Sequence, residues 1–131
     1  MISQLLQQYF TGYELDDSNK LFCQKCNTKK SAMTLVEPSE FAEYLVATFS
    51  IFRYQGLQSS KISKPVNFEF SINLKNILPR FVKNDIQYDL YAFILHIGTG
   101  VERGHYQCFA RNLEENPMLW YKFDDHYVTE Q

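Results

Sequence analysis

The stretch from Gly104 to Asp125 constrains the fold of this chain more than any other part of its sequence. Two runs of strand-forming residues, 106–111 and 118–123, flank the polar segment 112–117, which has the composition of a turn. We interpret the two runs as neighbouring strands of an antiparallel hairpin. The hairpin therefore predicts an antiparallel sheet in this part of the chain.

The same hairpin predicts a histidine paired with an aspartate. If residues 112–117 close the hairpin, Arg111 faces Met118, and counting outward in step places His105 opposite Asp124. Opposed residues have Cβ atoms about 4.5–5.5 Å apart, so the carboxylate can orient the imidazole as in a nucleophile–base–acid triad. Asp125 is a second candidate for this role. The alternative is a surface His–Asp pair near a strand end, which contributes little.

A helical period marks the beginning of the chain. Apolar residues recur at spacings of three and four, which predicts a helix over residues 1–13. Ser3 is its candidate N-cap and Gly12 its candidate C-terminal stop. Such a short helix needs support from tertiary contacts.

Strand patterns dominate the middle of the chain. Residues 44–52 form an apolar run rich in β-formers, residues 66–74 alternate apolar and polar, and residues 88–97 predict a central strand that is apolar on both faces. The segment 53–63 is expected to be an exposed loop. Together the patterns predict an α+β fold, mostly antiparallel β with one short N-terminal helix.

Composition excludes several classes of protein. The chain has 131 residues, 45% of them hydrophobic, so it is not a disordered tail. A formal charge of -2 argues against nucleic acid as a partner, and no apolar run reaches the roughly 18 residues of a membrane span. The first residues lack the basic region of a signal peptide. Three cysteines are too few for a disulfide framework and fit a reducing, intracellular compartment.

The cysteines offer half of a metal site. Cys23 and Cys26 form a C-x-x-C pair in a polar, turn-like context, which supplies two of the four ligands of a structural zinc. A zinc ion would be held only with ligands from a missing segment; a redox pair and two unremarkable cysteines are the alternatives. Cys108 lies three residues from His105, so it faces the other side of the strand and is expected to be a buried structural thiol.

Motifs in one order along nearly the whole chain carry a resemblance to a known family. The most specific are Gly104-His105-Tyr106 and Trp120-Tyr121-Lys122-Phe123-Asp124-Asp125-His126-Tyr127-Val128, which resemble a histidine box and a W-x-x-F-D-D-x-x-V ending. Supporting motifs lie in residues 5–10, 19–26, 61–68 and 88–98. The chain resembles the C-terminal part of the ubiquitin-specific protease catalytic domain, the large cysteine-protease class of deubiquitinases.

The resemblance implies roles for particular residues. His105 would be the general base and Asp124 would orient it, while Gly104 and Tyr106 would line a narrow channel for the ubiquitin tail. The segments 53–63 and 98–104 would match the two loops that border this channel. Residues 1–13 would be a helix, residues 14–75 fingers-like strands with a half zinc site, and residues 76–131 palm strands of a papain-like domain.

Two elements of the family pattern have no match in these 131 residues. They are the nucleophilic cysteine with its oxyanion-hole neighbour and the first C-x-x-C pair. We therefore expect the His/Asp-bearing part of a deubiquitinase, inactive alone, with ubiquitin or its conjugates and a missing N-terminal half of the domain as partners. Its expected location is the cytoplasm or nucleus. A non-catalytic ubiquitin-binding module and a small zinc-ribbon interaction domain remain alternatives.

Overall fold

The computed structural model describes residues 1–114 and 119–131, and within them the prediction of an α+β, mostly antiparallel fold is confirmed. The two helices are α1 (Ile2–Thr11) and α2 (Leu74–Ile77). The strands are β1 (Tyr13–Glu14), β2 (Leu21–Cys23), β3 (Thr28–Lys30), β4 (Met33–Thr34), β5 (Phe52–Gln55), β6 (Gln58–Lys61), β7 (Ser71–Asn73), β8 (Gln87–Asp89), β9 (Ala92–Ile97), β10 (His105–Arg111), β11 (Trp120–Asp124) and β12 (Tyr127–Glu130). Among the described residues, neither helix has the length and hydrophobicity needed to cross a bilayer.

The chain divides into two compact units. The first comprises Met1–Leu45 and Val66–Tyr88, and the second comprises Val46–Pro65 and Asp89–Gln131. The first unit contains both helices and the short sheets β1–β4 and β2–β3. The second contains the hairpin β5–β6 and a four-stranded antiparallel sheet in the order β12-β11-β10-β9.

Helix α1 begins at Ile2, two residues before the start that a Ser3 N-cap would give. Met1 is its N-cap, so the assignment of Ser3 as N-cap is wrong, whereas Gly12 does follow the last helical residue. Ser3 lies in the first turn instead, where its hydroxyl donates to the carboxylate of Glu69. A tertiary partner thus takes the hydroxyl that local capping chemistry would have used.

A buried cluster holds the first unit together. Leu74, Leu78 and Val82 are at most 4% exposed, and the ring of Phe81 packs beside Phe10 of α1 with centroids 6.1 Å apart. Helix α2 begins here because the side chain of Asn73 accepts a hydrogen bond from the backbone N–H of Lys75. The predicted strand over 66–74 is therefore wrong beyond Ser71–Asn73, and a second short helix begins at its end.

One further strand prediction and one loop prediction are wrong. Residues 44–51 contain no strand, although their side chains favour one, and only Phe52 of the predicted run enters β5. Side-chain preference forms a strand only where a partner completes the hydrogen-bond ladder. Conversely, the expected loop 53–63 contains the paired strands β5 and β6, which turn at Gly56 with a φ of 60°.

The predicted central strand 88–97 is broken and does not occupy the centre of the sheet. It divides into β8 and β9, and in the described residues β9 is an edge strand whose one neighbour is β10. Residues Phe93 and Phe109 oppose each other across this pair and stack with ring centroids 4.9 Å apart. Trp120 of β11 packs on Phe93 at 5.5 Å, so aromatic rings line one face of the sheet.

Candidate functional site

The hairpin of β10 and β11 brings His105 and Asp124 together through a register that differs from the predicted one. Arg111 pairs with Trp120 and Cys108 with Phe123, and continuing by one step places Gln107 opposite Asp124. The predicted pairing of Arg111 with Met118 and the direct opposition of His105 and Asp124 are therefore wrong. Part of the predicted turn 112–117 and Met118 itself lie outside the described residues.

His105 and Asp124 still meet because the observed and predicted registers differ by two residues. Side chains alternate with a period of two, so a shift of two leaves every side chain on its predicted face. His105 meets Asp124 diagonally, and Nε2 of its ring lies 2.5 Å from Oδ1 of the carboxylate. Diagonal neighbours on one face are within reach of each other when the side chains are long or aromatic.

Two further side chains hold the carboxylate. The amide of Gln107 donates to Oδ2 of Asp124 at 2.7 Å, and the ammonium of Lys122 lies 3.5 Å from the same oxygen. The sequence analysis did not predict either residue. A spacing of two could have indicated them, because Gln107 follows His105 by two residues, Lys122 precedes Asp124 by two, and residues two apart in a strand share a face.

The hydrogen bond between His105 and Asp124 shifts the pKa of both groups in opposite directions. The hydrogen bond with Asp124 raises the pKa of His105 above its ordinary value of 6.5, and the nearby charge of Asp125 acts in the same direction. The hydrogen bond with His105 lowers the pKa of Asp124, with a smaller contribution from Lys122. With Nε2 engaged by the carboxylate, Nδ1 is the ring nitrogen left to accept a proton.

Asp125 lies beside the pair without replacing Asp124 in it. It follows β11 in the turn to β12, where it adopts a left-handed φ of 53° and is exposed. Ligand atoms of His105, Asp124 and Asp125 lie within 4.8 Å of one another, a spacing compatible with a metal ion. The positive charge of Lys122 beside Asp124 repels a metal cation at this place. The three side chains are therefore better suited to proton transfer than to metal binding.

The other predicted site residues, Gly104 and Tyr106, both lie against His96. The ring of Tyr106 packs on that of His96 with centroids 4.8 Å apart, on the sheet face opposite the side chain of His105. A side chain at Gly104 would collide with the same imidazole. The structure thus gives both residues a packing role in shaping the end of β9.

The C-x-x-C pair lies in the turn of the β2–β3 hairpin, in the first unit. Cys23 ends β2, and the backbone N–H of Cys26, its thiol and the N–H of Lys25 lower the pKa of the Cys23 thiol, in that order. A turn that stabilises a thiolate fits a zinc ligand, since zinc binds the thiolate form. In the described part of the chain, no cluster of three candidate ligands includes these cysteines, and the half zinc site stays a prediction.

Cys108 has the expected orientation, but it is half-buried and not fully buried as predicted. It lies within the continuous strand β10, three residues from His105, and pairs with Ile94 and Phe123 of the neighbouring strands. Odd separations in a strand point to opposite faces. Cys108 is therefore not the nucleophile that His105 could activate.

Comparisons with known proteins identify the family. A family model described as ubiquitin carboxyl-terminal hydrolase matches residues 3–131. The chain belongs to the ubiquitin carboxyl-terminal hydrolase family. Among its relatives in Arabidopsis thaliana, ubiquitin carboxyl-terminal hydrolase 23 is 32% identical over 123 residues and ubiquitin carboxyl-terminal hydrolase 20 is 32% identical over 132 residues.

Solved structures of this family share the fold. The chain is similar to part of the SAGA DUB module Ubp8/Sgf11/Sus1/Sgf73 bound to monoubiquitin, with a TM-score of 0.74 and 24% identity over 98% of this chain. A yeast SAGA DUBm with mutant Sgf73 matches with a TM-score of 0.80, also at 24% identity, over 99% of this chain. The predicted protease-domain fold is thereby confirmed.

The likeness covers a limited part of each known protein. The match spans 92% of this chain but 14% of hydrolase 23, and 98% of this chain but 18% of hydrolase 20. It spans 28% of each structural match. The family's activity in this chain is accordingly a proposal.

Proposed function

We propose that this chain supplies the histidine base and the orienting aspartate of a cysteine-type deubiquitinase. The observation that carries the proposal is the bond between Nε2 of His105 and Asp124, which holds the imidazole and leaves Nδ1 available. Membership of the ubiquitin carboxyl-terminal hydrolase family supports ubiquitin conjugates as the substrate. The monoubiquitin bound to the similar DUB module supports the same partner.

The proposed reaction is acyl transfer through a thioester. Nδ1 of His105 takes the proton of a cysteine thiol, and the thiolate attacks the carbonyl carbon of the C-terminal residue of ubiquitin. A thioester forms as the bond from this carbon to the amine breaks. The amine leaves with the proton from His105, and water activated by the same nitrogen then releases ubiquitin and regenerates the thiol. Asp124 holds the imidazole in the required tautomer and stabilises its charged form throughout.

The nucleophile in this proposal comes from another segment. Cys108 faces away from His105, and Cys23 and Cys26 are the proposed ligands of the half zinc site. An N-terminal part of the same domain is the proposed partner, and it would also supply the two further zinc ligands. The three free cysteines support an intracellular location in the cytoplasm or nucleus.

A chimeric domain tests the proposal. In hydrolase 23 of Arabidopsis, the segment matched by this chain is replaced by residues 1–131, and cleavage of a fluorogenic ubiquitin C-terminal substrate is measured. His105→Ala should lower kcat by roughly 10²–10⁴-fold, the range of general base catalysis. His126→Ala is the matched control, because it removes an exposed histidine from the neighbouring turn.

The outcomes separate the candidate functions. Full activity of the His105→Ala chimera would contradict the proposal, and turnover by the isolated 131-residue chain would contradict the need for a second segment. A chimera that binds ubiquitin without cleaving it would favour the non-catalytic binding module. Stoichiometric zinc in the isolated chain that disappears in Cys23→Ala would favour the zinc-ribbon domain.

A further inference from the structure

Lys61 makes an unusual pair of hydrogen bonds. Its ammonium donates to the backbone carbonyl of His96 at 2.6 Å and to that of Gly98 at 2.7 Å. Lys61 is half-buried at the end of β6, and its bonds join that strand to the end of β9. Charge-assisted bonds of this length are stronger than those between neutral groups, so the contact fixes the end of β9.

The fixed end of β9 lies directly opposite His105. Ile97 pairs with His105 across the sheet, and the two carbonyls bonded by Lys61 belong to the residues on either side of Ile97. Since β9 is an edge strand in the described residues, the sheet supports this end from one side. Lys61 supplies the support that a second neighbouring strand would give.

A second contact of the same hairpin acts on the same place. Phe52 pairs with Lys61 across the hairpin, and its ring meets that of His96 edge-on, with centroids 5.4 Å apart. His96 in turn packs on Tyr106, the residue that follows His105. The hairpin therefore contacts the end of β9 in two ways: Lys61 bonds its backbone carbonyls, and Phe52 packs on the His96 ring.

We propose that Lys61 is a positioning residue, which holds the end of β9 and thereby aligns the His105 imidazole with Asp124. It acts through backbone carbonyls and does not touch the reacting atoms. The consequence for catalysis rests on the proposed deubiquitinase function, but the alignment itself does not. The alignment can therefore be measured in the 131-residue chain without any turnover.

The first measurement requires no substitution. In the ¹⁵N,¹³C-labelled chain, NMR should detect scalar couplings across the hydrogen bonds between Nζ of Lys61 and the carbonyl carbons of His96 and Gly98. Their absence, with a freely rotating ammonium, would overturn the proposal. This arm remains informative even if a Lys61 variant fails to fold.

The second measurement uses Lys61→Met, which removes the donors and keeps a long side chain. Loss of alignment should lower the pKa of His105, whereas simple loss of a nearby cation would raise it. Amide exchange at residues 96–98 and 105–106 should accelerate about ten-fold, with smaller changes in β12. Lys61→Arg retains donors for both carbonyls and should restore the native values.

The exposed Lys64 provides the matched control. Lys64→Met removes the same charge three residues away and should leave the pKa of His105 and the exchange rates unchanged. A raised or unchanged pKa in Lys61→Met, or equal acceleration of exchange throughout the sheet, would overturn the positioning role. If the pKa of His105 falls as expected while the chimeric domain is inactive, the alignment stands and the proposed function fails.

Discussion

Substitution of Gly104 by alanine tests the packing at the end of β9. An added Cβ would lie 2.5 Å from Cε1 of His96, closer still to its Nε2, and 2.8 Å from the carbonyl oxygen of Ile97. Ordinary van der Waals contact begins near 3.4 Å, so Cε1 must withdraw by about 0.9 Å, Nε2 by more than that, and the carbonyl by about 0.6 Å. The glycine is thus required by the space that His96 occupies.

The neighbours of His96 oppose that movement. Its ring lies between Phe52 and Tyr106, with centroid distances of 5.4 Å and 4.8 Å, and its backbone carbonyl is bonded by Lys61. Overpacking of this kind typically costs about 1–3 kcal/mol. With a urea m-value of about 1–3 kcal/mol/M, the unfolding midpoint should fall by roughly 1 M.

Urea unfolding of Gly104→Ala against Gly100→Ala measures this effect. Gly100 lies in the same loop, and a Cβ there would meet its nearest atoms at 4.0 Å, so its substitution should change the midpoint little. Adding His96→Ala to Gly104→Ala should recover part of the loss, because the obstructing ring is gone. Equal midpoints for the two single alanine variants would refute the steric reasoning.

Three further predictions concern the His–Asp pair, the buried cluster and the cysteines. Asp124→Asn should lower the pKa of His105 in an NMR titration, and an unchanged pKa in the variant would contradict the pairing. In the wild type, the contribution of His105 to stability should be fully present below the unfolded pKa near 6.5 and be lost as pH rises through the raised folded pKa. Leu74→Ala should destabilise the chain by about 2–5 kcal/mol in denaturant unfolding, since Leu74 is 1% exposed, and an unaltered midpoint would contradict its place in the core. Iodoacetamide followed by mass spectrometry should modify Cys23 before Cys108, because its turn lowers the pKa of the Cys23 thiol, and the reverse order would contradict that effect.

Local patterns predicted the parts of the fold that local chemistry controls. The apolar period of α1 and the strand-forming run of β10 both correspond to observed elements. The predicted strand over residues 44–52 was wrong because no neighbouring strand completes its ladder within the described residues. The predicted strand over 66–74 ended early because the Asn73 side chain caps a helix whose first residue, Leu74, is buried.

The candidate site shows the same division. The spacing of His105 and Asp124 along a hairpin predicted their pairing. An error of two residues in the register left both side chains on the same face, because side chains alternate with a period of two. Gln107 and Lys122 were missed, although they share the face of that pair and bond the carboxylate. Their roles depend on which oxygen each side chain reaches.

The sequence by itself determined the antiparallel hairpin, the chemistry of its His–Asp pair and the family to which the chain belongs. These follow from residue types and their spacing along the chain. Tertiary structure alone decided the diagonal contact of His105 with Asp124, the edge position of β9 and the hydrogen bonds of Lys61 to the end of β9. Lys61 and His96 are 35 residues apart, and their meeting depends on how strands pack rather than on any local pattern.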